Sequence, residues 1–337
     1  MLPQTDVVQA QGATQRITYA EAVRQALREE MIRDPRVFLM GEDIGAYGGS
    51  FKATKGLFEE FGPERVIDTP LAESALVGLG AGAAWNGMRP VVEIMFGDLL
   101  TIAADQLINT AAKWRYLSNG RDSLPLVVRT ASGGGVNYGP MHSQAAEAWF
   151  ANVPGLKIVA PSTPADVKGL LKASIRDDNP VLFLEYKALY FTRGDVPTEE
   201  YVTPLGKAAL RTEGDDVTIV TWGWMTGVAL SAAETLSRSG VSAEVIDLRT
   251  LVPLDTDCIL NSVRKTGCLV VVEEAPKMGG FGAQVAALVA EEAITSLEGP
   301  IVRVAALNTP TPEDKKMEAL YYPSAASIVE AVRKALG

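Results

Sequence analysis

The sequence predicts an α/β protein built from two parallel-sheet domains. Three observations carry this. Strand-like runs rich in Val, Ile and Leu alternate with helical patterns and are closed by Gly or Pro, as in chains whose parallel strands are joined by crossover helices. The strand runs are near-continuously apolar, which suits strands covered on both faces. The alternation also occurs twice, on either side of a polar, proline-bearing stretch, and 337 residues with 47% hydrophobic content are enough for two large cores.

The first fifteen residues, MLPQTDVVQAQGATQ, have no apolar core and no arginine. They are expected to be a loose polar tail rather than a secretory or transit peptide. A helix is expected over Tyr19–Ile32, where apolar positions recur at helical spacing and Asp34-Pro35 ends it, because a residue before proline avoids the helical region. Strands are expected at VFLM, PVVEIMF, LPLVVRT, LKIVAP and PVLFLEY. In TPADVKGLLKASI, Thr163 can cap a helix, Pro164 suits its first turn and Asp166 faces its positive end. The first domain is thus residues 16–190, and 191–204 read as a linker. In the second domain, 205–337, strands are expected in DDVTIVTWG, VSAEVIDLRTL, GCLVVVEEA and GPIVRVAAL, with helices near Val228–Ser237 and Ala283–Thr295.

A net charge of −10 gives no basic face for a nucleic-acid backbone and favours a basic protein partner. No apolar run approaches the roughly 20 residues of a membrane span. Cys258 and Cys268 form no CxxC pair, so neither a zinc site nor a disulfide framework is indicated and a reducing compartment is expected. GxxxxGK[ST] and GxSxG are both missing, which removes a P-loop enzyme and a nucleophile-elbow hydrolase. The strand–turn–helix EEAPKMGGFGAQVAALVAEEA invites a dinucleotide reading, but Gly280 and Gly282 lack the third glycine and the downstream acid.

Two residues stand out. His142, in GPMHSQAAE, is the only histidine in the chain and so the natural carrier of protons near neutral pH, unless it merely packs. Glu73, in DTPLAES, leads into an apolar, glycine-rich helix, where a carboxylate is common for dipole reasons alone. On that helix Gly78 and Gly82 allow close approach, either within the chain or between subunits.

Taken together, GED, FGPERVIDTPLAE, EIMFGD, DQLINTAAKWRY, GPMHSQAAEAWF, PGLKIVAPSTPADVKGLL, DDNPVLFLE, EVIDLRTLVPLD and VVVEEA resemble the β chain of thiamine-diphosphate-dependent 2-oxoacid dehydrogenases, including relatives acting on acetoin or branched-chain oxoacids. The resemblance runs from about Ile17 to the C-terminus. It implies a transketolase-like pyrimidine-binding domain followed by a transketolase C-terminal-type domain. It also implies an α chain that completes the site in an α₂β₂ heterotetramer and holds the diphosphate with its Mg²⁺; no GDG followed by an asparagine pair is present here.

By the same resemblance, Glu73 hydrogen-bonds the aminopyrimidine ring of the cofactor, and Met95, Phe96 and Leu99 lie against it. Leu99 stands where the family usually has an aromatic residue. His142 assists proton transfer as the acyl group passes to lipoamide; before it, SGGGVNYG is expected to be a mobile loop, and Ser143 to cap the helix AAEAWFANV. Asp177 and Asn179, in RDDNP, match a monovalent-cation (K⁺) segment, or form a plain turn. The implied activity is oxidative decarboxylation of pyruvate or a similar 2-oxoacid with acyl transfer to lipoamide, on the lipoyl acyltransferase core of a complex. The implied alternatives are an acetoin or branched-chain enzyme and a catalytically silent scaffold subunit. The implied compartment is the bacterial cytoplasm, or the mitochondrial matrix after removal of a transit peptide.

Overall fold

The computed structural model describes residues 12–337, and both expected parallel sheets are present. The expected polar tail, 1–15, lies mostly outside the described residues. Its last two residues begin the strand Thr14–Thr18, which pairs antiparallel with Arg193–Pro197 from the expected linker. Helix Tyr19–Arg33 follows without a break, because Thr18 accepts from the Glu21 amide at 3.1 Å while Glu21 Oε2 accepts from the Thr18 amide at 2.8 Å. Such a reciprocal cap satisfies two otherwise orphaned donors.

The first sheet runs, from edge to edge, Thr250–Val252, Lys157–Val159, Val181–Tyr186, Val127–Ser132, Arg89–Ile94, Val37–Gly41 and Val66–Asp68. All its strands are parallel except Thr250–Val252, which comes from the second half of the chain. Helices Tyr19–Arg33 and Pro164–Arg176 pack on each other over one face, burying Val23, Leu27, Val167 and Leu171. Thr163 caps the latter helix from its expected position. The other face carries helix Glu73–Trp85 and runs without interruption into the second domain, where Trp222, Leu260 and Phe281 join the same core.

The second sheet has the order Val302–Ala306, Leu269–Pro276, Val217–Thr221, Ala243–Asp247 and Ala209–Thr212, the last antiparallel. Helices Met225–Arg238 and Ala325–Leu336 cover its far side. The two halves are pinned together by more than packing. Asp166, read from sequence only as a helix-start acid, pairs with Arg211 and with Arg249 at 3.0 Å, and Arg211 also pairs with buried Asp247 at 2.7 Å. Removing one partner from such a buried set costs about 3–5 kcal/mol, because the others are left as uncompensated charges. Among the described residues, no helix is long and apolar enough to cross a membrane.

Candidate active site

Apart from Asp177 and Asn179, which precede the strand Val181–Tyr186 and so lie at its amino end, the residues singled out in the first domain lie beyond the carboxyl ends of parallel strands. Glu42 follows the strand Val37–Gly41, Glu73 lies beyond Val66–Asp68, Met95 and Phe96 follow Arg89–Ile94, and the loop leading to His142 follows Val127–Ser132. These strands are neighbours in the sheet, so their carboxyl ends form one edge. Ligands of open α/β sheets bind outside that edge, where side chains from several strands converge without disturbing the ladder.

Glu73 is the first residue of its helix and is buried, 8% exposed. It lines an open hollow with Ser74, Gly78, Leu79, Ile102 and Gln106. Glu42 lies deeper, and neither of its carboxyl oxygens has a hydrogen-bond partner. Burial, reinforced by the charge of Glu73 and opposed by the nearby Ala72 backbone, raises the Glu42 pKa. A pair of acids at the edge, one unsatisfied and one opening outward, is prepared for a group that can share a proton.

His142 is half-buried and meets the Phe96 ring edge-on, with centroids 4.5 Å apart. Phe96 also touches Tyr138 and Phe51, at 6.1 and 6.3 Å between centroids. Beneath Phe96, buried Lys187 donates to the Ala131 carbonyl at 3.3 Å, and burial lowers its pKa to about 8. Leu99 ends the tight turn Gly97–Leu99 and packs, half-buried, on the main core; Met95 is half-buried.

Ser143 does not cap a helix. The helix begins only at Glu147, with Ala146 before it and no side-chain cap, and the Ser143 hydroxyl is buried without a partner. Residues 139–146 instead run as a loop closed by the Gly133 amide on the Gln144 carbonyl, while Trp222 fixes Glu147 at 3.0 Å. The Gly-rich turn of the second domain is filled by its own strand. Glu273 accepts from the Gly282 amide at 3.0 Å and pairs with Arg303, so its carboxylate sits where a dinucleotide phosphate would have to approach.

Comparison with known proteins gives the chain a family. Residues 15–192 match the transketolase pyrimidine-binding domain and residues 206–328 the transketolase C-terminal domain. The chain is 49% identical over 320 residues to the 2-oxoisovalerate dehydrogenase subunit beta of Bacillus subtilis, covering 94% of this chain and 98% of that one. It is 46% identical over 330 residues to the mitochondrial pyruvate dehydrogenase E1 component subunit beta-1 of Arabidopsis thaliana, covering 97% and 91%. The chain belongs to the β-subunit family of 2-oxoacid dehydrogenase first components. Its fold is that of a solved split-gene transketolase described as an inactive beta4 tetramer, at a TM-score of 0.78 and 27% identity over 95% of this chain and 98% of that one.

As a β subunit of this family the chain is one part of a thiamine-diphosphate-dependent oxidoreductase that works with an α subunit. The fit to that cofactor can be judged from the residues present. Glu73 opens on a largely apolar hollow with buried Glu42 close enough to feel its charge, and half-buried Phe96 and Leu99 follow the strand Arg89–Ile94, a set of residue types that suits an aminopyrimidine. The exposed apolar side chains Leu79 and Ile102 line the hollow, and exposed Leu71 lies two residues before Glu73. Gly82 of the expected close-approach pair has open space before it, whereas Gly80 is the glycine that packs inward, on Val92 and Leu126.

Asp177 and Asn179 form no open cradle. Asp177 Oδ1 accepts from the amide and side chain of Asn179 at 2.8 and 2.9 Å, its other oxygen pairs with Lys157, and Asn179 Oδ1 accepts from Arg115 at 3.1 Å. The oxygens expected to face a cation therefore face Lys157, Arg115 and the donors of Asn179, and they do not fit a K⁺ ion as arranged. Among the described residues, no group of three or more His, Cys, Asp or Glu side chains converges as a metal site.

Residues missed by sequence reasoning are Phe51, Tyr138, Lys187 and, at the domain boundary, Glu274 and Glu318. Glu42 was visible only as part of GED. The signal for it was an acid directly after a wholly buried strand, Val37–Gly41, where an unpaired charge is costly.

Proposed function

We propose that this chain supplies the proton-handling half of a 2-oxoacid dehydrogenase active site, with pyruvate or a similar small 2-oxoacid as substrate and a lipoyl group as acyl acceptor. The observation that carries this reading is the buried acid pair Glu42 and Glu73 at the carboxyl edge, one unsatisfied and one lining an opening. When bound, thiamine diphosphate supplies the electron sink for loss of CO₂. Glu73 is the residue that would hold the aminopyrimidine, its carboxyl able to share a proton with a ring nitrogen. Glu42, held towards its neutral form by burial and by Glu73, keeps a second negative charge away from Glu73. Phe96 and Leu99 exclude water from the recess and orient the ring. His142, set against Phe96, passes a proton during acyl transfer to the lipoyl group.

An α chain holding the diphosphate and its Mg²⁺ completes the site in an α₂β₂ assembly. The exposed apolar side chains beside Glu73 are the surface it covers, since patches of this kind mark association faces. The net charge of −10 suits a basic subunit-binding segment of the acyltransferase core. A monovalent cation at Asp177 and Asn179 would first have to displace Lys157 and Arg115. The bacterial cytoplasm is the expected compartment, or the mitochondrial matrix in a eukaryote.

The test is reconstitution with an α chain, followed by thiamine-diphosphate-dependent turnover of pyruvate, branched-chain 2-oxoacids and acetoin. Pyruvate turnover that collapses in Glu73→Gln supports the reading. A preference for branched-chain oxoacids or acetoin would move the substrate while keeping the mechanism. An assembled heterotetramer inert to all three would overturn it in favour of a scaffold subunit.

A further inference from the structure

The loop that carries His142 is held from the other domain. Its residues Gly133, Gly135, Asn137 and Gly139 all adopt left-handed backbone, with φ of 72°, 81°, 62° and 69°. Such a run turns successive amides towards one side and forms a concavity that binds an anion. Here the anion belongs to the chain itself. The Gly135 amide donates to Glu318 Oε1 and the Asn137 amide to Glu318 Oε2, both at 2.9 Å, across more than 180 residues of sequence. Glu318 is buried, on helix Lys315–Tyr321 of the second domain.

Four residues on, Tyr322 donates from its hydroxyl to the Ser143 carbonyl, next to His142, at 3.4 Å. It is buried edge-on against Trp224, 5.2 Å between centroids. The fit is close enough to explain the glycines. A Cβ on Gly134 would lie 1.8 Å from the Tyr322 hydroxyl, and one on Gly133 would lie 2.0 Å from Glu274 Oε1. From the first domain, Asp98 Oδ1 accepts from the Gln144 amide at 3.3 Å. His142 itself meets the Phe96 ring, and its amide donates to the Gly139 carbonyl at 3.4 Å.

We propose that Glu318 is a positioning residue for His142: its two bonds to the Gly135 and Asn137 amides set the loop, and through it the imidazole, for acyl transfer. The proposal rests on the reading of His142 given above. Carboxylate-to-amide bonds are charge-assisted and fix direction at both oxygens, whereas the exposed Met317 and Leu320 of the same helix face away. The loop is thereby ordered by the second domain, so that the histidine belongs to one domain and its placement to the other.

The experiment uses the assembled enzyme with its α subunit and compares Glu318→Ala, Glu318→Gln, His142→Ala, the double variant Glu318→Ala/His142→Ala, and Lys316→Ala as an exposed control on the same helix. Each is assayed for decarboxylation with an artificial electron acceptor and for lipoyl acylation, and amide exchange is followed across residues 133–142. Glu318→Ala is expected to lower lipoyl acylation by about tenfold or more, as for a misplaced catalytic group, with artificial-acceptor turnover within about twofold of the parent. Exchange across the loop should rise, Glu318→Gln should fall between the two because one acceptor oxygen survives, and the double variant should be no worse than His142→Ala.

Unchanged loop exchange in Glu318→Ala would overturn the proposal. So would raised exchange with unchanged acylation, or an equal loss of both reactions, which is a purely structural effect. If His142→Ala leaves acylation intact, the reading of the histidine falls and the proposal with it. If His142→Ala impairs acylation and Glu318→Ala does not, only the positioning role fails.

Discussion

The replacement Glu274→Gln should flatten the fall of stability with pH. Glu274 is wholly inside the domain boundary, on the strand Leu269–Pro276. Its Oε2 accepts from the Trp224 indole, while Oε1 has no partner; nearby Glu147 also keeps one oxygen unpartnered. Burial first, and then the charge of Glu147, raises the Glu274 pKa from 4.5 to about 8; the Trp224 and Gly134 donors and Lys187 act against this. Unfolded, the carboxyl titrates near 4.5, so between 4.5 and 8 the folded chain holds a proton that the unfolded chain has lost. The associated stability is fully present below the lower value and is lost as pH rises to the upper one. Each such group contributes at most about 1.4 kcal/mol per pH unit, a ceiling of about 5 kcal/mol over that window, part of which depends on the charge of Glu147. Lys187, lowered by burial from 10.5 to about 8, has the opposite sign: its folded form loses the proton first, so stability rises again from about 8 to 10.5. A glutamine keeps the shape and one acceptor but cannot take up the proton. Urea midpoints of the full chain, measured in half-unit steps from pH 4.5 to 8, should fall less steeply for Glu274→Gln than for the parent. Parallel curves, or a steeper fall in the variant, would refute the assignment of the buried proton to this site.

Three further outcomes are expected of the active-site residues. Glu73→Gln should reduce thiamine-diphosphate-dependent turnover by about a hundredfold or more, the range for loss of a proton-transfer partner, while circular dichroism shows the fold intact; near-parental turnover would sink the role given to Glu73. His142→Ala should impair lipoyl acylation more than decarboxylation with an artificial acceptor, and equal effects on the two would return the histidine to packing. Leu99→Phe should tighten cofactor binding by up to about tenfold, from the roughly 0.5–1.5 kcal/mol of an added aromatic contact. Titration of the assembled enzyme with the cofactor reads this directly, and severe weakening with the fold preserved would show that the recess has no room for the ring.

The elements legible in the sequence are those whose signals are local. Helix Pro164–Arg176 begins at Thr163 as its cap and first-turn proline dictate, and the apolar runs at Val127–Ser132 and Val181–Tyr186 became central strands. Thr14–Thr18 and Arg193–Pro197 escaped because neither has an apolar face to betray it; each is a strand only through the other. Thr250–Val252 was hidden for a similar reason, inside a run expected as one strand, since its pairing partner Lys157–Val159 lies in the other domain. The Ser143 cap failed because local cap chemistry lost to a tertiary demand, the burial of Glu147 against Trp222.

The site shows the same division. Glu73 stands just beyond a strand end as the first residue of its helix, where one sequence window contains both the residue and its structural reason, whereas His142 is legible as a residue but its placement is not. Glu318 has no such window, being a glutamate in the middle of a short helix whose only distinction is two amides more than 180 residues away. A loop of left-handed residues is entropically expensive to order, at about 1–2 kcal/mol per residue, and its own sequence offers only the bonds of Gly133 to Gln144 and His142 to Gly139 against this. The rest comes largely from Glu318 and Tyr322, in the second domain, with Asp98 of the first domain on the Gln144 amide. It follows that whatever fixes the two domains against each other also fixes the imidazole. The pairing of Thr250–Val252 with Lys157–Val159 and the Asp166–Arg211–Asp247 set do this work far from any reacting atom. Loosening them should therefore show itself first in acyl transfer, where the histidine must be placed, and only later in cofactor binding, which depends on the first domain's own strand ends.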